Sequence, residues 1–324
     1  RCKNLGSILK HVQFLHFRAE HLERLVHCLN AWYPQMPYIH HIYAHVKNEK
    51  FNWYYQLYFG KVSEWPGFQV WNTLQADVFP KMKELRFSCK TKLGYIETIL
   101  KTLPNLKRFH YAYCHKDCST LFREFDFEYF RFLGGDELNM NNMKCCIQSR
   151  SLRTLCLDDI HLWPEYQSLR DTTSGQLLAP NSTLRRLELL PKYTADSMFA
   201  MEELLLWFPG LEVLSCYVQS NLNFFELLSR TNVSNLILSS CTNAVEDVQA
   251  KFQLLAKMPH LEYLELNLKN PLNLMEQLRT LLSSSSTLRS ITVGTCKTYH
   301  KRATEAANDL RRDYPRATFH VVQT

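Results

Sequence analysis

The sequence predicts an α/β solenoid in which short parallel strands alternate with helices and each repeat stacks on the next. Three observations lead there. One apolar phrase recurs along the chain at nearly even intervals. Helix-patterned segments fill the intervals, and several stop at a proline just ahead of the next phrase. The composition, 46% hydrophobic and 21% charged over 324 residues, is that of a folded chain with ample core material.

The phrase reads apolar, two variable residues, apolar, one variable, apolar. It appears as Leu106-Phe109-Tyr111, Leu152-Leu155-Leu157, Leu184-Leu187-Leu189 and Leu211-Leu214-Cys216, naming the apolar positions alone. Val233-Leu236-Leu238, Leu261-Leu264-Leu266 and Leu288-Ile291-Val293 continue it. Met82-Leu85-Phe87 is an earlier copy, weaker copies start at Val12 and Ile39, and Phe319–Val321 reads as a closing strand. From 184 the starts follow at 27, 22, 28 and 27 residues, and 12 to 39 is again 27. Leucine-rich repeats have periods of about 20–29 residues. The intervals 39–82 and 106–152 are longer, so the segments 46–80 and 115–150 read as degenerate repeats or insertions within one solenoid spanning 1–324.

A strand sends alternate side chains to one face, so the last two apolar positions point into a core and the first turns in at the strand's entry. One repeat cannot bury that face alone; stacking buries it, at roughly 1.5–3 kcal/mol for each large side chain. Met201–Phe208, Val248–Met258 and Leu274–Leu282 have helical spacing, and Pro104, Pro209, Pro259 and Pro315 mark stops that a helix cannot pass. The expected product is a leucine-rich-repeat horseshoe with strands on the concave face and helices on the convex face. Two aromatic-rich stretches, Phe51–Trp71 and Ser119–Leu133, fall in the long intervals and read as extra helices packed over the solenoid, or as a contact lid.

Eleven cysteines lack the regular spacing of a disulfide scaffold and read as reduced thiols of a cytoplasmic or nuclear protein. Cys114, Cys241 and Cys296 each lie eight residues after a phrase start, where the repeat pattern carries Asn or Cys, and are expected to be buried. With these Cys-type repeats, the helix-Pro-strand phrasing and the irregular repeat lengths, the chain resembles the F-box/leucine-rich-repeat proteins from about Leu15 to Val322. That resemblance implies substrate recognition for a cullin–RING ubiquitin ligase, with an F-box, if there is one, ahead of Arg1 to hold the ligase adaptor. The alternatives are a leucine-rich-repeat scaffold or GTPase regulator unrelated to ubiquitin, or a solenoid with a small-molecule pocket.

Other classes fit less well. The net charge of +7 comes from scattered lysines and arginines, not from the basic stripe of a nucleic-acid binder. No run of about 18 apolar residues and no signal peptide is visible. The triplets at Asn181 and Asn232 match the glycosylation sequon but mean little without a secretory signal. Phosphate-loop, dinucleotide, zinc-protease and nucleophile-elbow motifs are absent, so no enzyme and no cofactor are expected. Cys114, His115 and Cys118 with Cys145-Cys146 do not form tidy ligand pairs. His41 and His45 would lie about 13 Å apart on a strand, with His40 on the opposite face, so no metal is expected there.

The candidate site is the outward row of the strands. It carries Phe14, His16 and Arg18, then His41, Tyr43 and His45, then Glu84 and Arg86, then Arg108 and His110. Later copies offer Arg186 and Glu188, Val213, Ser215 and Tyr217, Tyr263 and Glu265, and finally the small Ser290, Thr292 and Gly294. Arginine, histidine and aromatic side chains concentrate in the first half. The expected partner site is therefore His16, Arg18, His41, Tyr43, His45, Arg86, Arg108 and His110, facing an acidic or phosphorylated protein segment.

Overall fold

A computed structural model describes residues 14–19, 41–48, 53–57, 84–87, 97, 100, 101, 106–112, 119–133, 140–158, 179–190, 200–217, 222–240, 247–268 and 275–323. Of the first four strands the backbone alone is described. The chain divides into two compact units, Arg1–Cys145 and Cys146–Thr324.

In the first unit, β1 (Phe14–Ala19) and β2 (His41–Asn48) pair in parallel, with Leu15 opposite Ile42. That register aligns the two weak copies of the phrase position for position. β3 (Trp53–Leu57) then runs antiparallel to β2, and β1–β3 form a three-stranded sheet. The reason is chain length: four residues, 49–52, separate β2 from β3, and a parallel return needs a crossover of about a dozen or more. The expectation of helices for Phe51–Trp71 is thus corrected at Trp53–Leu57, which is a hairpin strand. The rest of that stretch lies outside the described residues.

β4 (Glu84–Phe87), β5 (Arg108–Ala112) and β6 (Tyr129–Leu133) pair in parallel. The second aromatic stretch is not one helix. It divides into α1 (Ser119–Glu124) and β6. Phe127, Phe130 and Phe132 occupy the three apolar positions of the phrase, and all are buried. The starts 106, 127 and 152 are therefore separated by ordinary intervals of 21 and 25 residues. Aromatic rings fill this core: Phe130 lies 5.4 Å from Phe109, 4.5 Å from Phe122 and 4.6 Å from Phe132, centroid to centroid.

α2 (Met140–Gln148) follows, and its last residues open the second unit. There β7 (Thr154–Asp158), β8 (Arg186–Leu190), β9 (Val213–Tyr217), β10 (Asn235–Ser240), β11 (Tyr263–Leu268), β12 (Ser290–Thr295) and β13 (Thr318–Gln323) lie side by side in sequence order. Every pair is parallel. Between the strands run α3 (Ala200–Trp207), α4 (Leu222–Leu228), α5 (Val248–Ala256), α6 (Met275–Ser284) and α7 (Lys297–Asp313). From α3 onward each helix packs on the next, so contacts run to nearest neighbours, as in a stack of repeats.

The phrase dictates this geometry. From Leu152 to Val293 the three apolar positions of every copy are buried. Ahead of β7 through β11 the carbonyl after the first apolar residue accepts two N–H groups from the following repeat. The Arg153 carbonyl takes Arg185 and Arg186, that of Arg185 takes Glu212 and Val213, and that of Glu212 takes Ser234 and Asn235. Ser234 then accepts Glu262 and Tyr263, and Glu262 accepts Arg289 and Ser290. The same joint recurs in the first unit, where the Lys107 carbonyl accepts Glu128 and Tyr129.

Two kinds of residue end the preceding helix segment. Pro209, Pro259 and Pro315 stand in turns just ahead of their strands. Elsewhere a polar side chain caps the first apolar N–H: Ser149 for Leu152, Asn181 for Leu184 and Ser285 for Leu288. Beside Pro209, Gly210 lies against the preceding repeat so closely that a Cβ would come 2.5 Å from the Ser182 carbonyl oxygen. Gly210→Ala is expected to lower the unfolding free energy by about 1–3 kcal/mol, as overpacking does. Urea denaturation measures it, and an unchanged midpoint would show that the two repeats separate freely there.

Candidate functional site

The outward positions of β5 and β6 build one cluster in the first unit. The Arg108 guanidinium stacks over the Tyr129 ring at 4.2 Å, a cation–π contact, and the His110 ring lies 4.9 Å from the same ring. Register puts Arg108 opposite Tyr129 and His110 opposite Arg131. Arg108 is exposed, as expected of a contact residue. His110 is not: it is 2% exposed. The expectation that it meets a partner directly is corrected by this burial: the ring lies between the neighbouring strands, opposite Arg86 and Arg131, with the Tyr129 ring against it.

The other expected residues stand at known register positions. His16 is opposite Tyr43 and Arg18 opposite His45 on β1 and β2, with His41 opposite Phe14. Arg86 on β4 is opposite His110. The eight residues therefore fall on two sheets, since β1–β2 belong to the three-stranded sheet and β4–β5 to the parallel one.

In the second unit the outward row carries two organised carboxylates. Glu188 receives the Arg186 Nε–H at 2.5 Å and the Cys156 thiol at 3.2 Å. Glu265 receives the Tyr263 hydroxyl at 2.6 Å on one oxygen and the Asn267 amide at 2.8 Å on the other, and Tyr263 Oη lies 3.2 Å from Thr292 Oγ1. Burial, followed by the hydrogen bond to Glu265, raises the Tyr263 pKa above its usual value, which keeps the phenol protonated as a donor. Between these carboxylates, β9 and β10 present the neutral Val213, Asn235 and Ile237, while Ser215 is buried. The residues missed in the sequence were Tyr129 and Arg131, hidden in an aromatic run, together with Cys156 and Asn267. Cys156 stands at a variable position where any residue fits the phrase, and Asn267 lies just past the last apolar position, where the phrase sets no constraint.

One of the three thiols expected to be buried falls within the described residues, and it differs from that expectation. Cys296 is half-buried because α7 starts at Lys297, directly after β12, so Cys296 sits at the helix cap instead of in a covered corner. Cys114 and Cys241 lie outside the described residues. Cys216, an apolar position of the phrase, is a free thiol 1% exposed, and burial pushes its pKa from 9.0 up to about 12. A folded pKa above the unfolded one means that this thiol supports the fold up to about pH 9 and loses that contribution as pH rises toward 12. At about pH 8 a thiol reagent should modify Cys216 slowly in the native protein and rapidly after denaturation. Native labelling at the denatured rate would contradict its placement.

Asn181, of the first sequon, is 5% exposed and spends its side chain internally. Its amide donates to the carbonyls of Cys146 and Ser149, and its oxygen accepts from Thr183 and Leu184. Cys145 and Cys146 lie on α2, while Cys114, His115 and Cys118 are outside the described residues. Among the described residues no group of three or more His, Cys, Asp or Glu is placed to hold a metal, and no helix is long and apolar enough to cross a membrane.

Fold and site thus define an α/β protein of parallel strands alternating with helices, consistent with a solenoid-like stack, with a polar and aromatic strand face. No protein-family model matches the chain, and no curated protein matches it in sequence.

Proposed function

We propose that the chain is a leucine-rich-repeat horseshoe that holds a protein substrate on its strand face, as the recognition part of an F-box type cullin–RING ubiquitin ligase in the cytoplasm or nucleus. The observation that carries the binding role is the outward row itself. Repeat after repeat, the same backbone joint presents side chains chosen for contact chemistry: Arg108 over Tyr129, Arg186 with Glu188, Tyr263 with Glu265. Within each unit, a row of side chains spaced by strands about 4.8 Å apart suits a polypeptide better than a small molecule. The ligase role rests on the family resemblance.

The test is affinity capture of the full-length gene product from cells in which cullin activation is blocked. The expected eluate holds the ligase adaptor together with a protein that accumulates when the gene is silenced. An eluate with a bound protein but no adaptor would replace the ligase role with that of a scaffold.

A further inference from the structure

We propose that the outward face of β9–β11 in the second unit docks a basic segment of a partner protein, with Glu265 accepting its arginine or lysine. This rests on the protein-binding reading above, and concerns a different unit and the opposite charge from the Arg108 cluster.

Glu265 is the reason. It is half-buried on an outward position, and both of its oxygens are held by neutral donors, Tyr263 and Asn267. Among the described residues no cation pairs with it. Glu188 differs, because Arg186 already neutralises it. The hydrogen bonds fix the Glu265 carboxylate without cancelling its charge, and each carboxylate oxygen keeps a further lone pair. The result is an oriented anion on a molecule of net charge +7. The local charge calls for a cation, and the planar fork of arginine meets a fixed carboxylate best.

The neighbours complete the fit. Ile237 on β10 is in register with Glu265, and Val213 on β9 is in register with Asn235. At strand spacings of about 4.8 Å, these apolar side chains lie about 5 and 10 Å across the sheet from the Glu265 column. An extended segment rises about 3.3 Å per residue and sends alternate side chains to one face, so a basic residue on Glu265 puts the residues two and four positions along, about 7 and 13 Å away, toward Ile237 and Val213.

A random peptide library displayed on phage, selected on the protein and counter-selected on Glu265→Gln, tests this. Peptides that distinguish the two should carry Arg or Lys with an apolar residue close by. As synthetic peptides they should lose at least about tenfold in affinity on Glu265→Gln, and weaken with salt. Tyr263→Phe keeps the charge and removes the hydroxyl that aims it, so it should weaken the same peptides less. It also serves as the working variant if Glu265→Gln lowers the thermal midpoint. Discriminating peptides that are acidic, or basic peptides indifferent to both variants, would overturn the proposal. Selected peptides that depend on Arg108 instead would overturn it and leave the protein-binding reading standing. A library that yields nothing dependent on either face would overturn both.

Discussion

Asn181→Ala is expected to cost roughly 3–5 kcal/mol. The Asn181 side chain satisfies the carbonyls of Cys146 and Ser149 and the N–H groups of Thr183 and Leu184. Each buried group left without a partner costs about 1–3 kcal/mol, and the Cys146 carbonyl and the Leu184 N–H lie in the interior. Asn232, of the second sequon, is the control: it is exposed and makes one long bond, 3.5 Å to the Pro209 carbonyl. Asn232→Ala should stay within about 0.5 kcal/mol. Urea unfolding of both variants measures the contrast. Equal midpoints would mean that water reaches the groups around Asn181.

Phe130→Ala should cost about 3–5 kcal/mol, the usual range for emptying a buried aromatic site. The ring is 0% exposed and meets Phe109, Phe122, Phe127 and Phe132. Hydrogen exchange should show the amides of β5 and β6 losing protection. If they exchange as before, β6 does not complete the repeat, and the aromatic stretch has another role.

The repeats were legible where leucine wrote the phrase. Leu184-Leu187-Leu189 and Leu261-Leu264-Leu266 have spacing that a helix does not share, and both became parallel strands with buried apolar positions. Phe127-Phe130-Phe132 has the same spacing, but Leu121, Phe122 and Phe125 precede it at helical steps of three and four. A short apolar run of that kind fits both periods. The β2–β3 hairpin was hidden for another reason: its signal is the shortness of residues 49–52, and no strong turn dipeptide marks them.

The site was legible as a face and not as a constellation. Alternation along a strand tells which residues point outward, and Arg108, Arg186, Tyr263 and Glu265 all stand between buried positions of the phrase without being buried themselves. It does not tell what covers them. His110 is buried, with the Tyr129 ring of a neighbouring strand against it, and Glu265 has its geometry fixed by Asn267 and Tyr263 on its own strand. These are contacts that depend on register and rotamer, and a one-dimensional pattern carries neither.

In the proposed function the partner meets the strand face, not the helix face. A photoreactive amino acid placed at Val213 on the strand face, or at Leu206 on α3, tests this most directly. Leu206 is 60% exposed and offers the rival apolar contact. Irradiation in cells should crosslink a partner protein from position 213 and leave position 206 without one. A partner band from position 206 alone would put the interface on the helices and contradict the account.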